Sequence, residues 1–464
     1  MADKEKKVPT SRYARAARIG RLGATQSVKQ MGTRAANTVR SEEAGRAAME
    51  RRQFEAAEQL VTVLGTMKGA AMKLGQVLSF LDVGLVPEEY RAEFQVKLAA
   101  LRDAAPKVAF KDMKKVIEAD LGDRLSAVFS EFDEHAIAAA SIGQVYRATL
   151  REDGREVAVK VQYPGVSAAV RADMQNLGMI MRIIGRLAPG LDTSALADEI
   201  RERVIEELDY ELEASNQRRL ARIYRGHPFI VIPGVVGDLC RERVIVTEFV
   251  EGQGFEEFKA TCTEEERDRL GEIVFRFYFG SMYRFLQFSG DPHPGNFLVM
   301  PDGRICFLDF GLFKTIEQRV ADVELHSQRL THERRGQDLV TYWRQEGFLT
   351  GAKEMEPDRL LAFADMATGW YTKDEPVQLT PEIASDIVLG VSTPMGEHFA
   401  RMRHESMPPE YLFGRRLEHL TLAVLGQLEA RANWHRIARE WVYGDDPVTE
   451  LGKAEAAWLA SRHA

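Results

Sequence analysis

Gly290-Asp291-Pro292-His293-Pro294-Gly295-Asn296 is followed, 13 residues after the asparagine, by Asp309-Phe310-Gly311. Between them, Phe297-Leu298-Val299-Met300-Pro301-Asp302-Gly303-Arg304-Ile305-Cys306-Phe307-Leu308 reads as strand, tight turn, strand. Two carboxylates and one carboxamide are thereby set at the ends of one small β-hairpin. Mg²⁺ is a hard cation that takes oxygen ligands and needs few of them from the protein. One Asp and one Asn, completed by phosphate oxygens, suit it. Two surface turns would use the same residue types. The ordered pair with a hairpin between is a far more specific signal than Asp-Phe-Gly alone.

The rest of the composition narrows the field. A chain of 464 residues, 45% of them hydrophobic, can bury a large core and has length for two or three domains. Its net charge of −8 gives no global basic field, so nucleic acid is not expected as a partner. Cys240, Cys262 and Cys306 are scattered, which fits neither a disulfide framework nor a zinc site and suits a reducing cytoplasm. No secretory signal is read at the N-terminus. The most apolar windows, Asn176–Leu191 and Ile273–Phe288, are interrupted by Arg182, Arg186, Arg276 and Arg284, so no transmembrane helix is expected. Charge is uneven: residues 1–40 hold ten Lys/Arg against Asp3 and Glu5, a balance of +8 that leaves −16 on the remainder. Such an arm is either a solvated tail, a contact for an anionic membrane surface, or a strap for the acidic body of its own protein.

Along the chain, residues 41–100 keep a helical period through Phe54, Leu60, Val61, Leu64 and Met67. Ala104-Ala105-Pro106 marks a boundary, and Met113–Leu121 reads as a short helix. Ala148–Leu150 and Glu156–Val161 read as strands joined by a turn at Asp153-Gly154. Residues 166–188 and 195–224 read as helices, Phe229–Val235 and Arg243–Phe249 as strands. From Phe255 onward the chain reads as mostly helical apart from the hairpin before Asp309. The expected architecture is α+β and bilobal. It has a basic arm and helical extension over 1–105, a small β-rich lobe over 106–250 and a large α-rich lobe over 251–464, with nucleotide between the lobes.

An Asp in a loop, an Asn five residues later and then Asp-Phe-Gly is the order in which a protein-kinase-like fold holds Mg²⁺ and nucleotide. Val157-Ala158-Val159-Lys160 resembles the strand that carries the phosphate-binding lysine, and Glu213 is its candidate partner. The phosphate-covering loop of a protein kinase is rich in glycine. Here it is Ala138-Ala139-Ala140-Ser141-Ile142-Gly143-Gln144-Val145. Alanine limits close backbone approach and removes positive-φ conformations, so a different nucleotide geometry is expected.

Together, the alanine loop, the lysine strand, Asp-Pro-His-Pro-Gly-Asn and Asp-Phe-Gly resemble the UbiB/AarF-type atypical kinases. Lys73, Gly75 and Gln76 match that family's Lys-x-Gly-Gln motif, and Glu207 and Asp209 its Glu-x-Asp motif. Five separated motifs in order, from about Val8 to the C-terminal helices, make the resemblance specific. It implies a kinase-like fold that binds Mg²⁺ with ATP or ADP. It also implies a Lys73 helix lying over the peptide-substrate side with Glu207 as its partner. Such proteins support isoprenoid quinone biosynthesis or other lipid metabolism, with ATP hydrolysis better supported than protein phosphorylation. Two departures argue against protein phosphorylation: Ser289-Gly290 replaces the His-Arg pair before the catalytic Asp, and no Ala-Pro-Glu follows Asp309.

The resulting assignments are Lys160 for the α/β-phosphates, Glu213 to orient it, Asn296 and Asp309 for Mg²⁺, and Asp291 to orient or deprotonate the attacking hydroxyl or water. Ala139, Ala140, Ser141, Ile142, Gly143 and Val145 cover the nucleotide, and the interlobe hinge and adenine contacts fall at Thr247, Glu248, Phe249 and Val250. Lys73, Gly75, Gln76, Glu207 and Asp209 are regulatory. His293 is read as structural, and Trp370 and Tyr371 as core aromatics. The expected function is a Mg²⁺-dependent ATPase or kinase-like enzyme of quinone or other lipid metabolism. Its partners would be adenine nucleotide, lipid or quinone precursors, and an anionic membrane surface. It would be cytoplasmic, with peripheral membrane contact as the added expectation. The rivals are a small-molecule kinase and a non-catalytic nucleotide-binding scaffold.

Overall fold

The structure is a computed structural model that describes residues 108–140, 142–187, 197, 201, 205–349, 355–392 and 409–462. The basic arm and the Lys73, Gly75 and Gln76 motif lie outside the described residues, as does Ser141. The chain forms two compact units that interleave in sequence. The first runs to Glu211 and takes in Leu239–Val246, while the second comprises Leu212–Asp238 and everything from Thr247. This departs from the span 106–250 read for the small lobe. Residues 212–238 pack with the helical unit because their apolar side chains, including Leu220, Tyr224, Phe229 and Ile230, enter its core.

In the first unit, α1 (Phe110–Leu121) precedes β1 (Phe129–Phe132), β2 (Ala138–Ala139), β3 (Gly143–Leu150), β4 (Glu156–Gln162) and α2 (Val166–Leu187). α1 ends at Gly122, whose φ of 75° supplies the left-handed cap an L side chain resists. The sheet order is β1-β3-β4-β6, with β2 also paired to β3 and β6 formed by Val244–Glu248. Strand alternation sorts the faces. Val157, Val159 and Val161 are buried with Tyr146, Ala148 and Leu150, whereas Val145, Ala158 and Lys160 are half-buried on the other side. β3 and β4 lie close at one end: a Cβ on Gly143 would stand 2.2 Å from the Val161 carbonyl oxygen, so only glycine fits there.

In the second unit, α3 (Tyr210–Ile223, from Leu212 onward) leads into β5 (Ile230–Val231). The strand read over Phe229–Val235 is thus two residues long, with an isolated bridge from Val235 to Thr247. The helix read over 195–224 breaks at Glu207–Asp209, where Leu208 and Asp209 donate to the carbonyls of Ile205 and Glu206 as a turn. α4 (Phe255–Thr261) and α5 (Glu264–Phe275) follow, α5 opening with a Thr263–Glu266 capping box. α5 passes through a π-helical turn at Arg276–Gly280 into α6 (Ser281–Phe285). The helical remainder comprises α7 (Gln318–His332), α8 (Gly336–Gln345), α9 (Pro357–Thr372), α10 (Pro381–Ser392), α11 (Pro409–Leu428), α12 (Trp434–Val442) and α13 (Glu450–Ser461).

One core joins α5, the π turn, α9, α11 and α12 through Phe275, Phe277, Phe279, Leu425 and Trp434, and it includes Trp370 and Tyr371 as the sequence suggested. Arg276, fully buried, ties the C-terminal helices to this core. Its guanidinium donates to Glu272 at 2.7 Å, Glu440 at 2.6 and 2.8 Å, Glu455 at 2.9 Å and Thr449 at 3.0 Å. Among the described residues no helix is long and apolar enough to cross a membrane.

Candidate functional site

Two antiparallel pairs nest around the Asp291 and Asp309 loops. The inner pair is β8 (Phe297–Val299) with β9 (Ile305–Phe307), turned at Gly303, where φ is 79°. The outer pair is β7 (Gln287–Ser289) with β10 (Phe313–Thr315). Phe297 faces Phe307 and Ser289 faces Phe313, so residues 290–296 and 308–312 lie opposite each other between the two closures. Backbone bonds lock them: Gly290 N–H donates to Leu312 O at 2.7 Å and Leu308 N–H to Asn296 O at 2.8 Å. The Ser289 hydroxyl adds a bond to the Asp309 carbonyl at 3.3 Å. Concentric pairing thus brings together residues 18 positions apart, with Asp291, Asn296 and Asp309 all half-buried.

Each side chain is individually set. Asn296 Nδ2 donates to the Asp291 carbonyl at 3.0 Å, so Oδ1 is the atom that could hold a cation. Asp309 Oδ1 accepts from Gly311 N–H at 3.0 Å. His293 Nδ1 accepts from Gly295 N–H at 3.0 Å and caps the short 3₁₀ turn Pro294–Asn296, in keeping with a structural role. Burial first, and then the charges of Asp291 and Asp309, push the Tyr278 phenol well above its ordinary range. A neutral, buried ring therefore backs the two carboxylates. The donor set is hard oxygen throughout, which fits Mg²⁺. Among the described residues no group of three or more His, Cys, Asp or Glu converges as a metal cage. A cation shared with phosphate oxygens needs none.

α3 holds this loop from behind. Asn216, 6% exposed, donates to the carbonyl of fully buried Phe310 at 3.2 Å. Glu213 lies one turn earlier on the same buried face and is 4% exposed, and Gln217 donates to Pro233 O at 2.8 Å. Sequence reasoning named Glu213, as a candidate partner of Lys160, and did not name Asn216. Only the helical spacing from Glu213 could have pointed to it.

The other assigned residues belong to the first unit, apart from the hinge. Lys160 pairs across the strands with Val145, and its ammonium stands 5.1 Å from the centroid of the buried Tyr210 ring. Ala138 and Ala139 pair with Val145 and Gln144, and Ala140 and Gly143 close the loop through a 2.9 Å bond from Ala140 N–H to Gly143 O. Ala138 and Ala139 are therefore strand-paired to β3, with Ile142 buried and its carbonyl accepting from Tyr163 N–H at 2.8 Å. Glu207 and Asp209 sit in the turn before α3, half-buried and exposed. In the second unit, Glu248 is exposed and accepts from Gly234 N–H at 2.9 Å, and Val250 is half-buried just beyond β6.

Residues 100–327 match the ABC1 atypical kinase-like domain. The chain is 28% identical to the mitochondrial atypical kinase coq-8 of Caenorhabditis elegans over 84% of its own length and 52% of that protein. It is 31% identical to the mitochondrial atypical kinase COQ8B of Rattus norvegicus, covering 69% of this chain and 60% of the relative. The chain spans about half the length of the curated relatives it matches. Among solved structures, a Mycobacterium tuberculosis protein in complex with erythromycin aligns with a TM-score of 0.61 and 30% identity, over 86% of this chain and 98% of that one. The nested Asp291 and Asp309 loops of this chain, its lysine strand and these relatives agree: the chain belongs to the ABC1 atypical kinase-like family, the UbiB/AarF type, and has the α+β kinase-like fold.

Proposed function

We propose that this protein binds Mg²⁺ with ATP or ADP and acts as an ATPase or kinase-like phosphotransferase in isoprenoid quinone or other lipid metabolism. The observation that carries this reading is the nested pairing that sets Asn296 and Asp309 beside the Asp291 loop. Mg²⁺ on the Asn296 and Asp309 oxygens would neutralise phosphate charge, the largest requirement of phosphoryl transfer. Lys160 binds the α/β-phosphates. Asp291 orients the attacking hydroxyl or water and accepts its proton. Glu213 fixes the lysine, and the alanine loop covers the phosphates. Lys73, with Glu207 and Asp209, restrains access on the acceptor side.

The basic arm over residues 1–40 gives peripheral contact with an anionic membrane surface, since each basic residue near such a surface contributes on the order of 1 kcal/mol. The erythromycin complex of the Mycobacterium tuberculosis relative favours a second reading, in which the acceptor or ligand is a small molecule. The experiment is Mg²⁺-ATP turnover by the full chain, with and without anionic liposomes. Turnover that rises with liposomes is expected. No turnover in either condition contradicts the ATPase reading.

A further inference from the structure

α3 ends in arginines whose charge the proposed reaction does not use. Arg218 and Arg222 on α3 and Arg225 in the turn after it recur at i, i+4 and i+7, so they share one side. They line a cavity of about 640 Å³ together with Arg304 of the β8–β9 turn. Every lining residue belongs to the second unit; the hinge residue Glu248 is among them, and Lys160, Asp291, Asn296 and Asp309 are not. The volume falls within the range of about 300–1,000 Å³ usual for small-molecule sites. Half-buried Ile232 supplies part of an apolar wall.

Cations near a helix C-terminus can serve only to offset the helix dipole. Two facts take this group beyond that role. Arg225 lies past the helix, and Arg304 comes from an element 79 residues further on. Moreover, some other arginines of the unit hold carboxylates, Arg319 with Glu346, Arg334 with Asp365, Arg335 with Asp338, Arg436 with Asp374 and Arg439 with Asp445, whereas exposed Arg219, Arg269, Arg344 and Arg431 hold none among the described residues but do not gather around this cavity. Among the described residues, Arg218, Arg222 and Arg225 have no such partner. Arg304 shares Asp302 at 2.7 Å. The one carboxylate lining the cavity, Glu248, accepts from Gly234 N–H. A chain of net charge −8 thus keeps several uncompensated guanidiniums around one concavity. Guanidinium forks match phosphate oxygens bidentately, which makes arginine the preferred residue for such recognition.

We infer that this cavity is a second ligand site, separate from the Asp291–Asp309 centre, that binds a phosphate-bearing ligand of at least two negative charges through Arg218, Arg222, Arg225 and Arg304. The phosphate can reach it in solution or on a lipid headgroup. Two arms of one experiment tell these apart. In the first, calorimetry follows inorganic pyrophosphate binding to the full chain in EDTA, which removes metal-dependent binding elsewhere. In the second, the chain is co-sedimented with phosphatidylcholine vesicles that contain phosphatidic acid. Both are repeated with the double variant Arg222→Gln/Arg225→Gln, whose exposed side chains leave the core intact. The expected result is binding in at least one arm that weakens about tenfold or more in the double variant, with unchanged melting temperature and Mg²⁺-ATP affinity. The arm that responds identifies the source of the phosphate. Binding that is equal in parent and variant, or absent from both arms, overturns the inference.

Discussion

Asn216→Leu tests whether α3 positions the Asp309 loop. The Asn216 amide donates to the Phe310 carbonyl at 3.2 Å, and both residues are buried. Leucine keeps the branched shape of asparagine and is the larger residue, so the change removes the donor without opening a cavity, at the cost of some crowding. A neutral hydrogen bond contributes about 0.5–1.5 kcal/mol net, and a stranded buried carbonyl raises the total cost to about 1–3 kcal/mol. Phe310 directly follows Asp309, so a released loop spreads the proposed metal ligand over several positions. Part of the lost energy then appears in binding: about 1.4 kcal/mol corresponds to a tenfold weaker Mg²⁺-ATP complex. Gln217→Leu is the matched control. Gln217 is equally buried and donates to Pro233 O at 2.8 Å, away from the Asp-Phe-Gly segment. Urea unfolding and calorimetry are run on both variants. Both should lose stability, and only Asn216→Leu should lose nucleotide affinity. If the two variants bind Mg²⁺-ATP alike, Asn216 is a packing residue and the positioning argument fails.

Arg276→Met removes the cation between Glu272, Glu440 and Glu455 and leaves Arg284 as their neighbouring guanidinium. Breaking a buried pair costs about 3–5 kcal/mol, and a loss under about 1 kcal/mol in urea unfolding would show that the network relaxes. Burial raises the Glu324 carboxyl to about 7 against the opposing pull of Arg415, with the Glu418 charge adding to the rise. The folded state therefore holds a proton that the unfolded chain has lost, and stability falls as pH rises from about 4.5 to about 7. Glu324→Gln, which can still accept the Tyr283 hydroxyl bond, should flatten that fall. Unfolding curves at pH 5 and pH 8 that stay parallel to those of the parent would contradict it.

How much of this was legible follows from the length of each signal. Strand β4, seven residues of apolar alternation, was read to within one residue of its end, whereas only the last three residues of the eight-residue β3 were read, because Gly143–Val145 was taken as part of the phosphate-covering loop. The β8–β9 hairpin carried its own Asp302-Gly303 turn and was read as well. β7 and β10 are three residues each, too short for any period, and they pair across 26 positions. The hairpin alone gave the inner closure. The outer one, which presses the Asp291 loop onto the Asp309 loop, became visible only in three dimensions. The break at Glu207–Asp209 was hidden because no proline or glycine marks it. The reassignment of residues 212–238 was hidden because local pattern does not say which core an amphipathic helix faces. Asn216 was illegible for a related reason. A lone asparagine within a helix signals nothing until its partner, 94 residues away, is known.

The central claim is that Asn296 and Asp309 hold Mg²⁺ for an adenine nucleotide. Calorimetric titration of the full chain with ATP, in Mg²⁺ and in EDTA, for the parent and Asp309→Asn, tests it most directly. A neutral amide replaces the carboxylate beside the cation without changing its shape, so the fold should persist while charge complementarity is lost. The account predicts Mg²⁺-dependent binding by the parent and a loss of about tenfold or more in the variant. Binding that ignores Mg²⁺, or an Asp309→Asn affinity equal to that of the parent, would contradict it.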